Sequence, residues 1–274
     1  MPSLDMLLPI VLVLSAIGAF AGILAGLLGV GGGIVLVPAF FYAFSTLGFG
    51  GEQLMQICLA TSLATIVVTS IRSVLGHHRK GAVDTEILRG WAIGIVIGAA
   101  VGVLVVSSLR STALQFSFGV LAFGVGLYML VSRPHWRLAD AMPSGFKRAV
   151  LSPAVGVLSV LMGIGGGSFG VPLMTLHNVP IHRAVGTAAG FGILIAAPSV
   201  LGFLFLSVDP ATRPPLTVGA VNLPAFFIVV AMTILTTPIG VKLAHALDAR
   251  WLKRAFGAFL ILVALNMLRK VVVG

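Results

Sequence analysis

A chain of 274 residues that is 58% hydrophobic and only 9% charged has too little polar surface to enclose a soluble core of its size. Its mean hydropathy of +1.14 and its continuous, non-alternating apolar runs predict a polytopic helical membrane protein, because backbone in lipid must satisfy its own hydrogen bonds. The net charge of +10 does not point to nucleic acid: the basic residues sit between apolar runs, in GHHRKG, SRPHWRLADAMPSGFKR and DARWLKR, where loop anchors belong.

The opening MPSLDMLLPI has no basic region and carries Asp5, so it does not read as a cleaved signal peptide. Apolar segments then follow at 7–28, 33–47, 54–75, 88–107, 112–131, 148–165, 168–179, 184–207, 219–241 and 252–270. Several match the roughly 20 residues a spanning helix needs. The second and seventh are shorter and start at glycine clusters, which predicts broken or re-entrant elements. Cys58 is the single cysteine, so neither an internal disulfide nor a cysteine-cluster metal site is available, and its apolar run suits a small buried hydrophobe. No cofactor is expected.

The polar stretch 132–147 divides the chain into two halves that resemble each other. GVGGGIVLVP (29–38) matches GIGGGSFGVP (163–172), and Ala60-Thr61-Ser62 matches Gly186-Thr187-Ala188. Gly102-Val103 matches Gly240-Val241, and Phe118-Gly119 matches Phe256-Gly257. The matches keep their order, which is the mark of an internal duplication. Residues 1–131 form a first repeat, 132–147 a linker and 148–274 a second repeat.

Charge sets the expected topology. Loops 76–89 and 132–148 are basic and separated by two spans, so both face the cytoplasm, whereas LGFGGEQ (47–53) carries one acid and no base and faces out. Counting back puts the N-terminus outside. Counting forward puts loop 242–251, with Lys242 and Arg250, inside and the C-terminus outside; Arg269 and Lys270 in the tail argue against that last step. Each half then has an odd number of crossings, and the fold class is an all-α membrane protein of two inverted repeats, about five helical segments each, as secondary transporters have.

In such proteins a pair of glycine-interrupted segments marks the substrate site. Glycine ends one helix and starts another because it adopts backbone angles that other residues avoid, and the new N-terminus presents free N–H groups and a positive dipole end to an anion. Gly31, Gly32 and Gly33, with Gly165, Gly166 and Gly167, are therefore the expected anion donors. Pro38 and Pro172 sit early in the second elements, where a missing N–H is tolerated. Glycines 94, 98, 102, 119, 124 and 126 instead suit close helix packing. Thr61, Ser62 and Thr187 lie one helix further on, and two uses are open to their hydroxyls: donation to the anion, or back-bonding to their own helix.

No Asp or Glu lies inside an apolar segment; Asp5, Glu52, Asp84, Glu86, Asp140, Asp209 and Asp248 are all terminal or in loops. A buried-carboxylate relay for protons or sodium thus has no candidate. Arg72 lies about one turn from the cytoplasmic end of its segment, where it either snorkels or pairs with an anion on its path. His177 and Asn178 line that path or cap the second broken element. His77, His78, Arg79 and Lys80 suit anchoring, with attraction of anions as a second role.

GLLGVGGGIVLVP, the ATSLATI segment, the loop HHRKGAVD and the second signature GIGGGSFGVPLM followed by GTAAG together resemble the TauE/SafE family of sulfite exporters, over almost the whole chain. The resemblance implies an inner-membrane carrier for small sulfur-containing anions such as sulfite, sulfonates or related organosulfur compounds. The second copy departs from the first in placing Ser168 opposite Ile34 and Ala188 opposite Ser62, which predicts an asymmetric site with Ser168 among its residues.

An enzyme reading rests on GGSFG (166–170), which fits G-x-S-x-G, but a nucleophile elbow needs a strand–turn–helix that this composition does not supply. A channel-like permease for a small neutral or different anionic solute is the stronger rival. A channel needs a continuous pore, whereas two broken helices in inverted repeats suit alternating access. The expectation is a carrier in the lipid bilayer with a small anionic substrate.

Overall fold

The structure is a computed structural model that describes residues 4–29, 31–132, 136–246 and 249–273. Val30 of the first glycine signature, residues 133–135 of the linker and Asp248 lie outside the described residues, as do the side chains of Asp5, Arg250 and Phe256. Ten helices follow in order: α1 (Leu4–Leu28), α2 (Gly33–Thr46), α3 (Leu54–His78), α4 (Thr85–Ser108), α5 (Ser111–Val131), α6 (Gly145–Leu161), α7 (Gly167–Leu176), α8 (Ile181–Leu204), α9 (Leu223–Ala246) and α10 (Ala249–Val273). Each predicted segment falls on one of them. Among the described residues six are long and apolar enough to cross a bilayer, α1, α3, α4, α5, α8 and α9, and the protein is an all-α, polytopic integral membrane protein.

One segment is corrected. The run predicted to be helical from 219 starts as a two-residue hairpin, β1 (Thr217–Val218) paired antiparallel with β2 (Val221–Asn222), and α9 begins only at Leu223. Gly219 sits at its tip with φ 55, and β2 ends in Asn222, whose side-chain oxygen accepts from the Ala225 N–H at 3.1 Å and caps α9.

Small residues bring the long helices together. Along α1, Gly18, Gly22 and Gly26 meet Val229, Thr233 and Val241 of α9 in rising order, so the two run parallel. Gly94, Gly98 and Gly102 of α4 meet Ser152, Pro153 and Val160 of α6, also in parallel. By contrast α3 and α8 run antiparallel, since Gly186 faces His77 while Gly192 faces Ser70. So do α5 and α10, where Gly119 lies on Leu268 and Gly126 on Gly257. Five of the six glycines assigned to packing serve it; Gly124 is the exception, with nothing within 4 Å of a Cβ placed there.

The two ends of the bundle differ. At one, the Ser111 N–H donates to the Glu52 carbonyl at 2.9 Å and Gln53 bridges to Ser207 and Asp209, so loops 47–53, 109–110 and 205–222 gather. At the other, Arg183 pairs with Asp84 at 3.9 Å and the Leu138 N–H donates to the Leu176 carbonyl at 2.7 Å, which gathers loop 79–84, the linker and loop 177–180. α10 ends on the same side as loop 47–53: Asn266 donates to the Tyr42 hydroxyl at 2.6 Å and Lys270 lies 4.2 Å from the Tyr42 ring centre.

Candidate functional site: two helix breaks that meet

The chain leaves α1 at Leu28 and enters α2 at Gly33 through left-handed backbone, with φ 66 at Gly29, 74 at Gly31 and 79 at Gly32. Only glycine takes such angles without strain. The second break, between α6 and α7, has one left-handed residue, Gly163 at φ 59, whereas Gly166 is right-handed at φ −65. Neither α2 nor α7 has a side-chain cap on its first turn. The Val35 N–H of α2 turns back to the Gly32 carbonyl at 3.1 Å, and the N–H groups ahead of it, like those ahead of Gly170 in α7, have no side-chain cap in a buried part of the protein.

The breaks touch each other. A Cβ added to Gly33 would run into the Gly163 carbonyl oxygen and stand 2.9 Å from the Ile164 Cα. Ile66, at the midpoint of α3, packs under both Gly31 and Gly33. On the other side Gly166 lies against α8 near its middle, where a Cβ would meet the Ala188 carbonyl at 2.6 Å and the Gly192 nitrogen at 3.0 Å. The first break, against α3, and the second, against α8, are thus joined where Gly33 meets Gly163 and Ile164. Ser62 joins them, its hydroxyl donating to the Gly163 carbonyl at 2.7 Å, and Ser168 opens α7 with a buried hydroxyl that has no partner.

Pro38 and Pro172 each fall on the sixth residue of their short helices, a turn later than the zone of free N–H groups. Each thereby leaves the carbonyl four residues back, of Ile34 and Ser168, without its intrahelical partner.

Other expected residues lie elsewhere. Thr61 and Thr187 sit on opposite sides of the breaks, and each accepts from the backbone N–H just before a long helix elsewhere in the chain: Asn222, ahead of α9, to Thr61 at 2.9 Å, and Asp84, ahead of α4, to Thr187 at 2.9 Å. Arg72 is exposed on α3, as a snorkelling side chain is. His177 closes α7, its Nδ1–H donating to the Leu173 carbonyl at 2.7 Å, and Asn178 follows in the left-handed conformation at φ 65, a usual helix stop. GGSFG is entered from α6 and continues into α7, with no strand before Ser168.

The sequence reading overlooked a polar row on α3. Ser62, Thr65, Thr69, Ser73 and His77 recur every three or four residues and are all buried. Three of them serve α1 and its break: Ser73 donates to the Ala25 carbonyl at 3.2 Å, His77 Nε2–H to that of Gly26 at 2.8 Å, and Thr69 to that of Gly31 at 3.3 Å. Gly26 lies in the last turn of α1, Ala25 also accepts from the Gly29 N–H at 3.1 Å, and Gly31 lies in the break itself. The helical spacing of the row was the available signal.

The fold and the meeting of the breaks define the class: an integral membrane protein whose centre is a pair of discontinuous helices. Residues 14–267 match the sulfite exporter TauE/SafE family, and the chain belongs to it. A probable membrane transporter protein of Haemophilus influenzae is 31% identical over 254 residues, 93% of this chain and 96% of that protein. Another, MJ0441 of Methanocaldococcus jannaschii, is 25% identical over 270 residues, 96% of each chain. YunE of Bacillus subtilis, also named a probable membrane transporter protein, is 28% identical over 195 residues, 64% of this chain and 71% of its own. No solved structure matches.

Proposed function

We propose that this protein is a secondary carrier of the bacterial inner membrane for small sulfur-containing anions such as sulfite, sulfonates or related organosulfur compounds. Its two repeats, 1–131 and 148–274, are inverted relative to one another and joined by a cytoplasmic linker, 132–147. The anion is held between the two breaks by amides of Gly31 to Gly33 and Gly165 to Gly167, and access alternates around it. The observation that carries this reading is the contact of the two breaks, Gly33 at the uncapped start of α2 against the Gly163 carbonyl and Ile164, three residues ahead of the uncapped start of α7. Free N–H groups and positive dipole ends favour a negative ligand there.

Two further facts support it. Among the described residues no carboxylate is buried, so a cation has no charged ligand in the core. Helices at matching places in the halves also run in opposite directions, α3 against α8 and α5 against α10, as inversion requires. Ser62 acts here by fixing the Gly163 carbonyl, and Thr61 and Thr187 by holding the starts of α9 and α4.

Reconstituted protein tests the proposal. Saturable uptake and counterflow of labelled sulfite or a short sulfonate are expected of a carrier, whereas a channel gives no counterflow. Gly32→Leu and Gly166→Leu are each expected to abolish flux while the protein still inserts. At Gly32 the side chain meets both a left-handed backbone and the Ala21 carbonyl at 2.8 Å, and at Gly166 it meets the Ala188 carbonyl at 2.6 Å. Normal flux in both variants would refute the site.

A further inference from the structure

Buried hydroxyls without partners are rare, because each forgoes hydrogen bonds it had in water. Ser70 of α3 is 1% exposed, Ser168 of α7 is 4% exposed and Ser159 of α6 is fully buried, and none of the three Oγ atoms has a hydrogen-bond partner. Other serines in the same helices do find one: Ser62 and Ser73 reach across to carbonyls, and Ser152 back-bonds to Arg148 at 2.7 Å. The three orphans gather on the second break. Ser159 and Ser168 flank it along the chain. Ser70 approaches from α3: a methyl group on Gly192 would run into Ser70 Oγ and stand 3.7 Å from the Gly166 amide nitrogen. Glycine at 192 keeps that space open between the α3 hydroxyl and the start of α7.

We propose that Ser70 is a direct hydroxyl ligand of the transported anion, acting with the free amides at the start of α7 and the Ser168 hydroxyl, so that the anion's donors come mainly from the second break. This rests on the carrier reading above. An oxyanion suits the set: its several acceptor oxygens take hydroxyl and amide donors together, and those donors have no competing protein acceptor. A polar group kept unsatisfied in the unliganded protein is explained once its partner is the substrate.

The test is sulfite and methanesulfonate counterflow in proteoliposomes by wild type, Ser70→Ala and Ser168→Ala, with thermal unfolding of each purified protein with and without the anion. Because the Ser70 hydroxyl has no protein partner, Ser70→Ala is expected to unfold at the wild-type temperature or above. Its KM is expected to rise about tenfold, and the stabilisation conferred by the anion to be lost. Ser168→Ala is expected to show the same signature. Wild-type counterflow with both variants within twofold of its KM would overturn the inference and leave the carrier standing. A fall in stability with unchanged KM would also overturn it, because it marks a packing role. No counterflow of either anion by wild type would overturn the carrier reading and this inference together.

Discussion

The two glycine signatures are nearly the same in sequence, yet the breaks they make are finished differently. At the first, the carbonyls of Ala25, Gly26 and Gly31 are taken by Ser73, His77 and Thr69, and three glycines in left-handed conformation complete the reversal. At the second, among the described residues, a side chain takes one carbonyl, Ser62 that of Gly163, and the hydroxyls of Ser159, Ser168 and Ser70 have no partner. The difference comes from the helices alongside. Carrying the match of Thr61 with Thr187 forward puts Ala188 opposite Ser62, Phe191 opposite Thr65 and Ile195 opposite Thr69. The same register puts buried Ser199 opposite Ser73, but its hydroxyl back-bonds to the Ile195 carbonyl at 2.7 Å, whereas on α3 the row reaches across and seals the first break. Two breaks of nearly the same sequence are thus finished differently by the side chains of their neighbours.

The comparison breaks most violently if the breaks cannot touch. Gly33→Ala places a Cβ in the Gly163 carbonyl and 2.9 Å from Ile164 Cα, backbone atoms that cannot rotate away. Overpacking of this kind costs about 3 kcal/mol. Flux is expected to vanish and the unfolding temperature in detergent to fall sharply. Gly124→Ala on α5 is the control, with open space at its Cβ and no expected effect on either measurement. Equal behaviour of the two variants would mean that the junction tolerates separation.

Next in size is Ser62→Ala, which removes the hydrogen bond that α3 makes to the second break. The Gly163 carbonyl, buried and left unpaired, is expected to cost about 1–3 kcal/mol. Thermal unfolding reads that loss directly. Because Ser62 positions the backbone rather than supplying a free donor, its variant should lose stability, where Ser70→Ala should lose affinity. The opposite pattern would exchange the two roles.

Much of this was legible beforehand. Long apolar runs fixed ten helices in order, because a helix in lipid is announced by composition over about 20 residues. Gly31–Gly33 and Gly165–Gly167 marked the breaks, since a run of three glycines has few other uses in such a run. A shared place for the two breaks was expected, but the particular contact was not legible: the Gly33–Gly163 approach depends on how α3 and α8 cross. Nor was the fate of individual hydroxyls. For Thr61 and Thr187 two uses were open, donation to the anion or back-bonding to their own helix, whereas each accepts from a backbone N–H at its own end of the bundle. Ser70 escaped notice because Ala196 stands opposite it in the carried register, so it belongs to no repeated motif.

The smallest expected effect sharpens that distinction where the halves are still alike. Thr61→Val and Thr187→Val keep the shape of the side chain and delete the acceptor of one backbone N–H. The two sites differ in water access: Asn222 is buried, while Asp84 lies partly open beside Arg183 and also caps α4 through the Glu86 and Ile87 N–H groups at 3.1 Å. Water can therefore replace Thr187 but not Thr61. Thr61→Val is expected to cost about 1–2 kcal/mol of stability and Thr187→Val under about 1 kcal/mol, with KM for the anion unchanged in both. A raised KM at unchanged stability would instead make these hydroxyls ligands, and the anion's contacts would then extend beyond the second break toward both ends of the bundle.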